Sequence, residues 1–280
     1  MRSGQGMPRA VAPSAVVLLG AVLVLSGGPT ARAETIGPDG QARPDFTFDI
    51  GGGGVFRPEF EGANEYEVDP IPAFDIRFRD WIFLSTNRGL GLDLIQDGDQ
   101  VWRAGPIVNY RRPREEDDSG ALRGLGDVDG TIEAGAYLEY TPSPLGGKLE
   151  VRHGFGGHQG ILVDMGVSYR EKLTDELLIN LGPGATWASD DYMEAYFGIS
   201  DFQSSRSGYA AYDADAGFKD VSFGAALSYS PVPFLAVTGF ANYERLLGDA
   251  AESPLVEEGG SPNQVTLGVT MTFRFGFDAW

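Results

Sequence analysis

Residues 264–277 alternate without interruption. Val265, Leu267, Val269, Met271, Phe273, Phe275 and Phe277 fall on one side, and Gln264, Thr266, Gly268, Thr270, Thr272, Arg274 and Gly276 on the other. Side chains of an extended chain point alternately to opposite faces, so this stretch is a strand with one apolar and one polar face. A half-buried strand of a soluble sandwich has that pattern. So does the last strand of an outer-membrane β-barrel, with its aromatic finish, and the remainder of the chain has to decide between them.

The first 33 residues read as an address. Arg2 and Arg9 precede an uncharged run at 16–25, and an Ala31-Arg32-Ala33 site follows, the basic, apolar and small-residue layout of a secretory signal. Cleavage is expected after Ala33, with Met7 a second possible start. The apolar run is half the length a spanning helix needs, roughly 20 residues. Residues 34–44 carry Gly, Pro and Gln and are expected to form a periplasmic lead-in, leaving 45–280 as the barrel. Removing three arginines leaves 21 − 3 = 18 basic residues against 40 acidic ones, a net charge of −22. Nucleic acid is therefore not an expected partner, because binding it requires a basic footprint. With no cysteine, neither disulfides nor thiolate chemistry are available.

Alternation recurs along the chain. Phe74, Ile76 and Phe78 oppose Asp75, Arg77 and Arg79; Trp102, Ala104, Val108 and Tyr110 oppose Arg103, Asn109 and Arg111; Ile132, Ala134, Ala136, Leu138 and Tyr140 oppose Glu133, Tyr137 and Glu139. The stretches 161–170 and 221–230 behave alike. Charges opposite aromatics do not suit a dry soluble core, but they suit a wet lumen inside a lipid-facing wall. The predicted inward charges are Arg77, Arg79, Asp93, Arg103, Arg111, Glu133, Glu139, Asp164, Arg170 and Arg274. Both signs are present, so a narrow or plugged lumen is expected. Tyr140, Tyr169 and Tyr229 mark one end of three strands, each before a tight connection (141–147, 171–176, 230–233), while 113–129, 154–160, 189–217 and 247–262 are longer loops. Short turns belong to the periplasm and long loops to the outside. Residues 57–69 read as a further loop, and glycines 51–54 as a barrel bend rather than a phosphate loop, since no Gly-Lys-Ser/Thr ending follows. Splitting 81–96 at Asn87-Arg88-Gly89 gives an all-β, antiparallel, up-and-down barrel of about twelve strands with both termini periplasmic. A count of ten stays open if the 81–96 region is kinked.

Little in the sequence points to chemistry. His153 and His158 lie in a glycine-rich loop expected at the outer face, but neither shows the fixed neighbours a catalytic or metal site demands. Glu115-Glu116-Asp117-Asp118 reads as a solvated loop tip. No catalytic, cofactor-binding or metal-binding residue is assigned, and no cofactor is expected.

The loops carry a resemblance. Residues 51–62 (GGGGVFRPEFEG), 125–128 (LGDV), 187–199 (WASDDYMEAYFGI), 207–220 (SGYAAYDADAGFKD) and 246–254 (LLGDAAESP) are similar to those of the MipA/OmpV family. The likeness covers nearly the whole mature chain and departs from the family at Asp278-Ala279-Trp280, where the family stops at the aromatic that is here Phe277. It implies a barrel in the outer membrane of a Gram-negative cell, in contact with lipid and lipopolysaccharide. It also implies a non-enzymatic scaffold bringing the lytic transglycosylase MltA to a murein synthase, because the family has no catalytic residues to carry over. Other members are surface proteins, so a narrow channel, receptor or adhesin is the alternative. A periplasmic scaffold would have to use the short turns, the lead-in or an inverted topology, since the motif loops are expected outside.

Overall fold

The computed structural model describes residues 44–79, 81–96 and 101–278; the expected signal and all but the last residue of the lead-in lie outside them, as do Ala279 and Trp280. The strands are β1 (Phe46–Pro58), β2 (Tyr66–Phe78), β3 (Ile82–Ser85), β4 (Gly89–Leu92), β5 (Ile95–Gln96), β6 (Trp102–Arg111) and β7 (Thr131–Tyr140). They continue with β8 (Leu145–Gly156), β9 (Ile161–Lys172), β10 (Leu177–Ala188), β11 (Gly217–Val232), β12 (Leu235–Leu246) and β13 (Asn263–Phe277). Each pairs antiparallel with its neighbours, β1 pairs with β13, and β4 pairs with β6, so the sheet closes. Twelve strands form the ring and the two-residue β5 flanks β6. Closure leaves no free edge where the first and last strands meet, which is what a sheet in hydrocarbon requires.

Period-two alternation decides which way each side chain points. Leu267, Val269, Met271, Phe273, Phe275 and Phe277 of β13 are all exposed, as are Ile132, Leu138 and Tyr140 of β7. In water such a surface would aggregate, whereas in a bilayer it is the solvent-facing side. Tight connections at 141–144, 173–176 and 233–234 leave one mouth, the periplasmic one, where β2 also passes to β3 and β4 to β6, and longer segments leave the other. Aromatic rings collect at the periplasmic level: Trp102 lies 4.2 Å from Tyr140, and Phe48 lies 5.2 Å from Phe275.

Several expectations need correction. The segment 57–69 is not all loop: β1 continues to Pro58 and β2 resumes at Tyr66, running through Pro70 and Pro72. Proline inside a strand normally costs a ladder bond, but these two nitrogens face the side of β2 on which no ladder forms, so no hydrogen bond is lost. The segment 81–96 does split, yet β3 and β4 have four residues each, too few to cross a bilayer. The turn placed at 230–233 is Pro233-Phe234, because an irregularity between Tyr229 and Val232 lets β11 run further. Arg79 is not inward: it sits in a turn at φ 49°, exposed, and its Nε donates to Asp45 Oδ1 at 2.7 Å.

Gly51 and Gly53 let β1 lie tight against β13. A Cβ on Gly53 would come 1.9 Å from the Val269 carbonyl oxygen, and one on Gly51 would come 1.8 Å from that of Met271. Backbone cannot yield as a side chain can. Gly53→Val is therefore expected to cost more than the roughly 1–3 kcal/mol typical of overpacking. Loss of the heat-modifiable band of the refolded barrel on semi-native gels would be the readout, with Gly54→Ala, whose Cβ meets nothing closer than 3.8 Å, as the tolerated control.

Candidate functional site: a charged lumen beneath a folded cap

The inward faces of β6 to β10 bring titratable residues together in the outer half of the barrel. Glu133 is the hub. Its Oε1 accepts from Arg111 Nε at 2.5 Å and lies 3.2 Å from His158 Nε2, while its Oε2 accepts from Arg152 Nη1. Arg152 also donates to Asp164 and pairs with Glu150 at 2.8 Å, and Thr186 Oγ1 donates to Asp164 at 3.0 Å. Lys148 Nζ completes the row against Glu150 at 2.7 Å. Unpaired, such charges would be costly away from bulk water, and pairing of opposite signs across adjacent strands is what makes the row tolerable.

A second group surrounds Lys219. The register of β11 against β10 slips at Thr186/Trp187, which turns Lys219 inward, where it is buried. Its ammonium pairs with Glu61, with Asp220 at 2.6 Å and with Glu244 at 3.9 Å. The three carboxylates lie within 4.8 Å of one another, a spacing compatible with a metal ion, but Lys219 stands among them and offsets their charge. Glu61 belongs to the β1–β2 connection. Burial pushes its carboxyl up, but Lys219 and then Arg111 pull harder, and the net shift is below the ordinary carboxylate value. Beside this group lies a cavity of about 80 Å³, lined by Arg57, Phe60, Glu61, Asn242, Glu244 and Thr266 among others. Nearer the periplasm, Arg88 pairs with Glu139 at 3.2 Å, Arg77 and Arg103 approach Asp93 at 3.8 and 3.9 Å, and Tyr137 donates to Asp93.

The long loops fold over the outer mouth as a cap with its own core. Helix α1 (Asp190–Phe197) buries Tyr192, Met193, Tyr196 and Phe197 against Val128, Ala214, Ala250 and Val256 from the neighbouring loops and Leu162 and Leu246 at the strand tops. Helix α2 (Asp201–Ser207) begins in a reciprocal Ser200–Gln203 capping box and ends at Gly208, whose φ of 88° only glycine adopts cheaply. Helices α3 (Gly248–Glu252) and α4 (Pro254–Glu257) continue the layer, where Phe60, Leu122, Leu125, Ile199 and Leu255 form a second core. Cap and lumen are joined. Arg111 lies over the rings of Tyr192 and Tyr196 at 5.1 and 5.6 Å, and Tyr192 Oη donates to Glu61 at 2.8 Å.

Of the predicted inward charges, Arg77, Asp93, Arg103, Arg111, Glu133, Glu139, Asp164, Arg170 and Arg274 sit on the lumenal side, Asp93 from the β4–β5 turn. His158, expected at the outer surface, is buried in the lumen, edge-on to Tyr192 and Tyr196 at 5.0 and 5.8 Å. His153 lies on the lipid side next to Phe155. Sequence reasoning missed Glu61, Arg88, Lys148, Glu150, Arg152 and Lys219. The spacing 148, 150, 152 would have revealed three of them, while Lys219 carries no signal because its direction comes from a register slip.

A closed antiparallel ring, apolar outside and ionic within, defines an outer-membrane β-barrel with a folded extracellular cap. The family model described as "MltA-interacting protein MipA" matches residues 50–275, so the chain belongs to the MipA family. The MltA-interacting proteins of Escherichia coli (strain K12) and Shigella flexneri are each 27% identical over 246 residues, covering 84% of this chain and 93% of theirs. Among solved structures, the NanC porin aligns over 81% of this chain and 98% of its own at 10% identity and TM-score 0.43. The CymD monoaromatic hydrocarbon channel aligns over 85% and 90% at 8% identity and TM-score 0.40. These scores are too low to carry function.

Two outcomes follow from the site. Glu133→Gln leaves Arg111 and Arg152 without their shared counter-charge and is expected to cost about 3–5 kcal/mol, read as a lower unfolding midpoint in denaturant titration of the refolded barrel. Burial pushes the Tyr196 and Tyr212 phenols up to about 12, above the ordinary 10.0. A group whose folded value is raised contributes stability that is complete below its unfolded value and lost as pH climbs to the folded one. The cap is therefore expected to loosen between pH 10 and about 12, seen as new protease cleavage within 189–262 while the barrel stays heat-modifiable. Tyr196→Phe, which removes a buried hydroxyl without a partner, should leave neutral-pH stability intact and reduce that sensitivity.

Proposed function

We propose that this barrel is a non-enzymatic scaffold that holds a murein transglycosylase of the MltA type, and with it a murein synthase, against the periplasmic face of the outer membrane. The observation that carries the reading is the periplasmic rim. Large exposed apolar side chains stand around it: Trp81, Leu94, Leu173 and Phe234 in its connections and Leu145 at the start of β8. Apolar anchors in a ring around a rigid frame are what a docking protein uses to bind by preformed surface. The paired charges and the cap support a role other than free diffusion of solutes through the lumen. The family name supports the class of partner.

Binding of a purified MltA-type transglycosylase to the detergent-solubilised barrel tests this directly. Leu173→Ser combined with Phe234→Ser should weaken binding by about tenfold or more, the effect of losing central apolar anchors, with heat-modifiability unchanged. Equal binding by the variant, or none by the parent, would sink the reading. Stable single-channel steps in a planar bilayer would instead favour the narrow channel, a reading that rests on the polar cavity beside Lys219.

A further inference from the structure

The wall of the barrel is not uniform. Strands β3 and β4 form a hairpin of four residues per strand between β2 and β6, which have thirteen and ten. The hairpin pairs with Asp75 to Phe78 on one side and with Ile107 and Val108 on the other. Two intervening strands hold β2 and β6 about 14 Å apart there, three strand spacings. Towards the outer surface the hairpin ends, and among the described residues no ladder joins β2 from Tyr66 to Ala73 with β6. Tyr66 and Tyr110 stand at the outer aromatic level, with Phe56 stacked on Tyr66 at 4.8 Å, so the unladdered stretch lies in the outer half of the bilayer.

An open sheet edge in hydrocarbon is normally forbidden, because its amides would go unpaired. Here the edge is built to reduce that cost. The alternation that directs Phe74 N–H to Thr86 Oγ1 at 3.0 Å directs the nitrogens of Pro70 and Pro72 to the same side, and neither carries a proton. The Pro72 carbonyl accepts from Thr86 Oγ1 at 3.2 Å. On β6, Ala104 accepts from Leu94 N–H at 3.0 Å, and Pro106, two residues on, turns its protonless nitrogen to Leu92 at the end of β4, below the seam. The remaining amides, at Tyr66 and Val68 on β2 and Tyr110 on β6, lie near the interface.

The lumen behind the seam differs from the rest. Val55 and Ile71 are buried with Phe240 packed on them, while Phe83, Ile107 and Tyr137 form a second cluster below the seam, behind the hairpin and under the Arg88 guanidinium. Outside, Val68 is 74% exposed. An apolar lip thus leads to carbon at Ile71 and Val55, beneath the paired Arg57, Glu67 and Asp69 on the same wall.

We propose that this seam is a lateral opening between the lumen and the outer leaflet, and that its occupant is an acyl chain of an outer-leaflet lipid. A protein strand is a poor fit, because the prolines remove the donors that strand addition needs. A hydrocarbon chain needs none, and Val55, Ile71 and Phe240 offer it carbon behind the seam. The inference is independent of the scaffold reading, which concerns the periplasmic rim.

The chain has no cysteine, so single-cysteine variants report cleanly. Ile71→Cys and Ala73→Cys lie on the lumenal face behind the seam, and Ala226→Cys lies on the lumenal face of β11, laddered on both sides. In proteoliposomes of heat-modifiable protein, a dodecyl maleimide confined to the bilayer is expected to label either seam cysteine about an order of magnitude faster than Ala226→Cys, since a fully paired wall admits no chain. A water-soluble maleimide should show no such preference. Equal lipid-borne rates at all three positions, no lipid-borne labelling, or seam labelling faster from water than from lipid would each overturn the proposal. Two seam positions are used so that a folding defect in one leaves the other.

Discussion

In hydrocarbon there is no water to accept an unpaired amide, and this single deficit organises the molecule. It makes β1 pair with β13 across the length of the sequence, and it requires β4 to reach β6 although β3 and β4 are too short to span. Where pairing fails, above the short hairpin, the chain supplies prolines, a threonine hydroxyl and proximity to the interface instead. Closure by the ladder and economy of donors at the seam are answers to the same cost.

Inside, the constraint is inverted. The lumen tolerates ions only in matched sets, and the sets overlap: Glu133 is shared by two arginines and a histidine, and Lys219 by three carboxylates. Such sharing means that few of these residues act alone. Arg111 holds Glu133 and stacks under Tyr192 and Tyr196, so the ionic row of the barrel and the apolar core of the cap meet at one side chain.

What could be read from the sequence is what the bilayer imposes. Outward faces must be apolar at every second position, and so the strands around Ile132, Val163, Val221 and Val265 declare themselves, with the turns that separate them. The cap did not declare itself, because its apolar residues come from several connections and no local period joins Leu122 to Ile199 or Val128 to Tyr192. The acidic tip at 115–118 reads as solvated and the lumen as narrow or plugged; the connections around that tip pack into a core. Lys219 faces inward through a slip in register, and Glu61 reaches the lumen from a connection, neither of which a period-two pattern can report. Residues 57–69 read as a loop, whereas β2 resumes at Tyr66 and carries Pro70 and Pro72 along an edge on which no ladder forms among the described residues.

The cap also restricts how this surface can change. Tyr192 and Phe197 lie in one core with Val128 from the segment before β7 and with Ala250 and Val256 from the segment before β13. Loops of a surface barrel ordinarily drift independently, since each meets only water. Here a larger side chain at Ala250 would be felt by α1 and by the β6–β7 connection, and an insertion in any one would have to be met by the others. The outward-facing portion most visible to antibodies and phage therefore behaves as one inherited unit, able to vary on its exposed tips but bound to vary together beneath them.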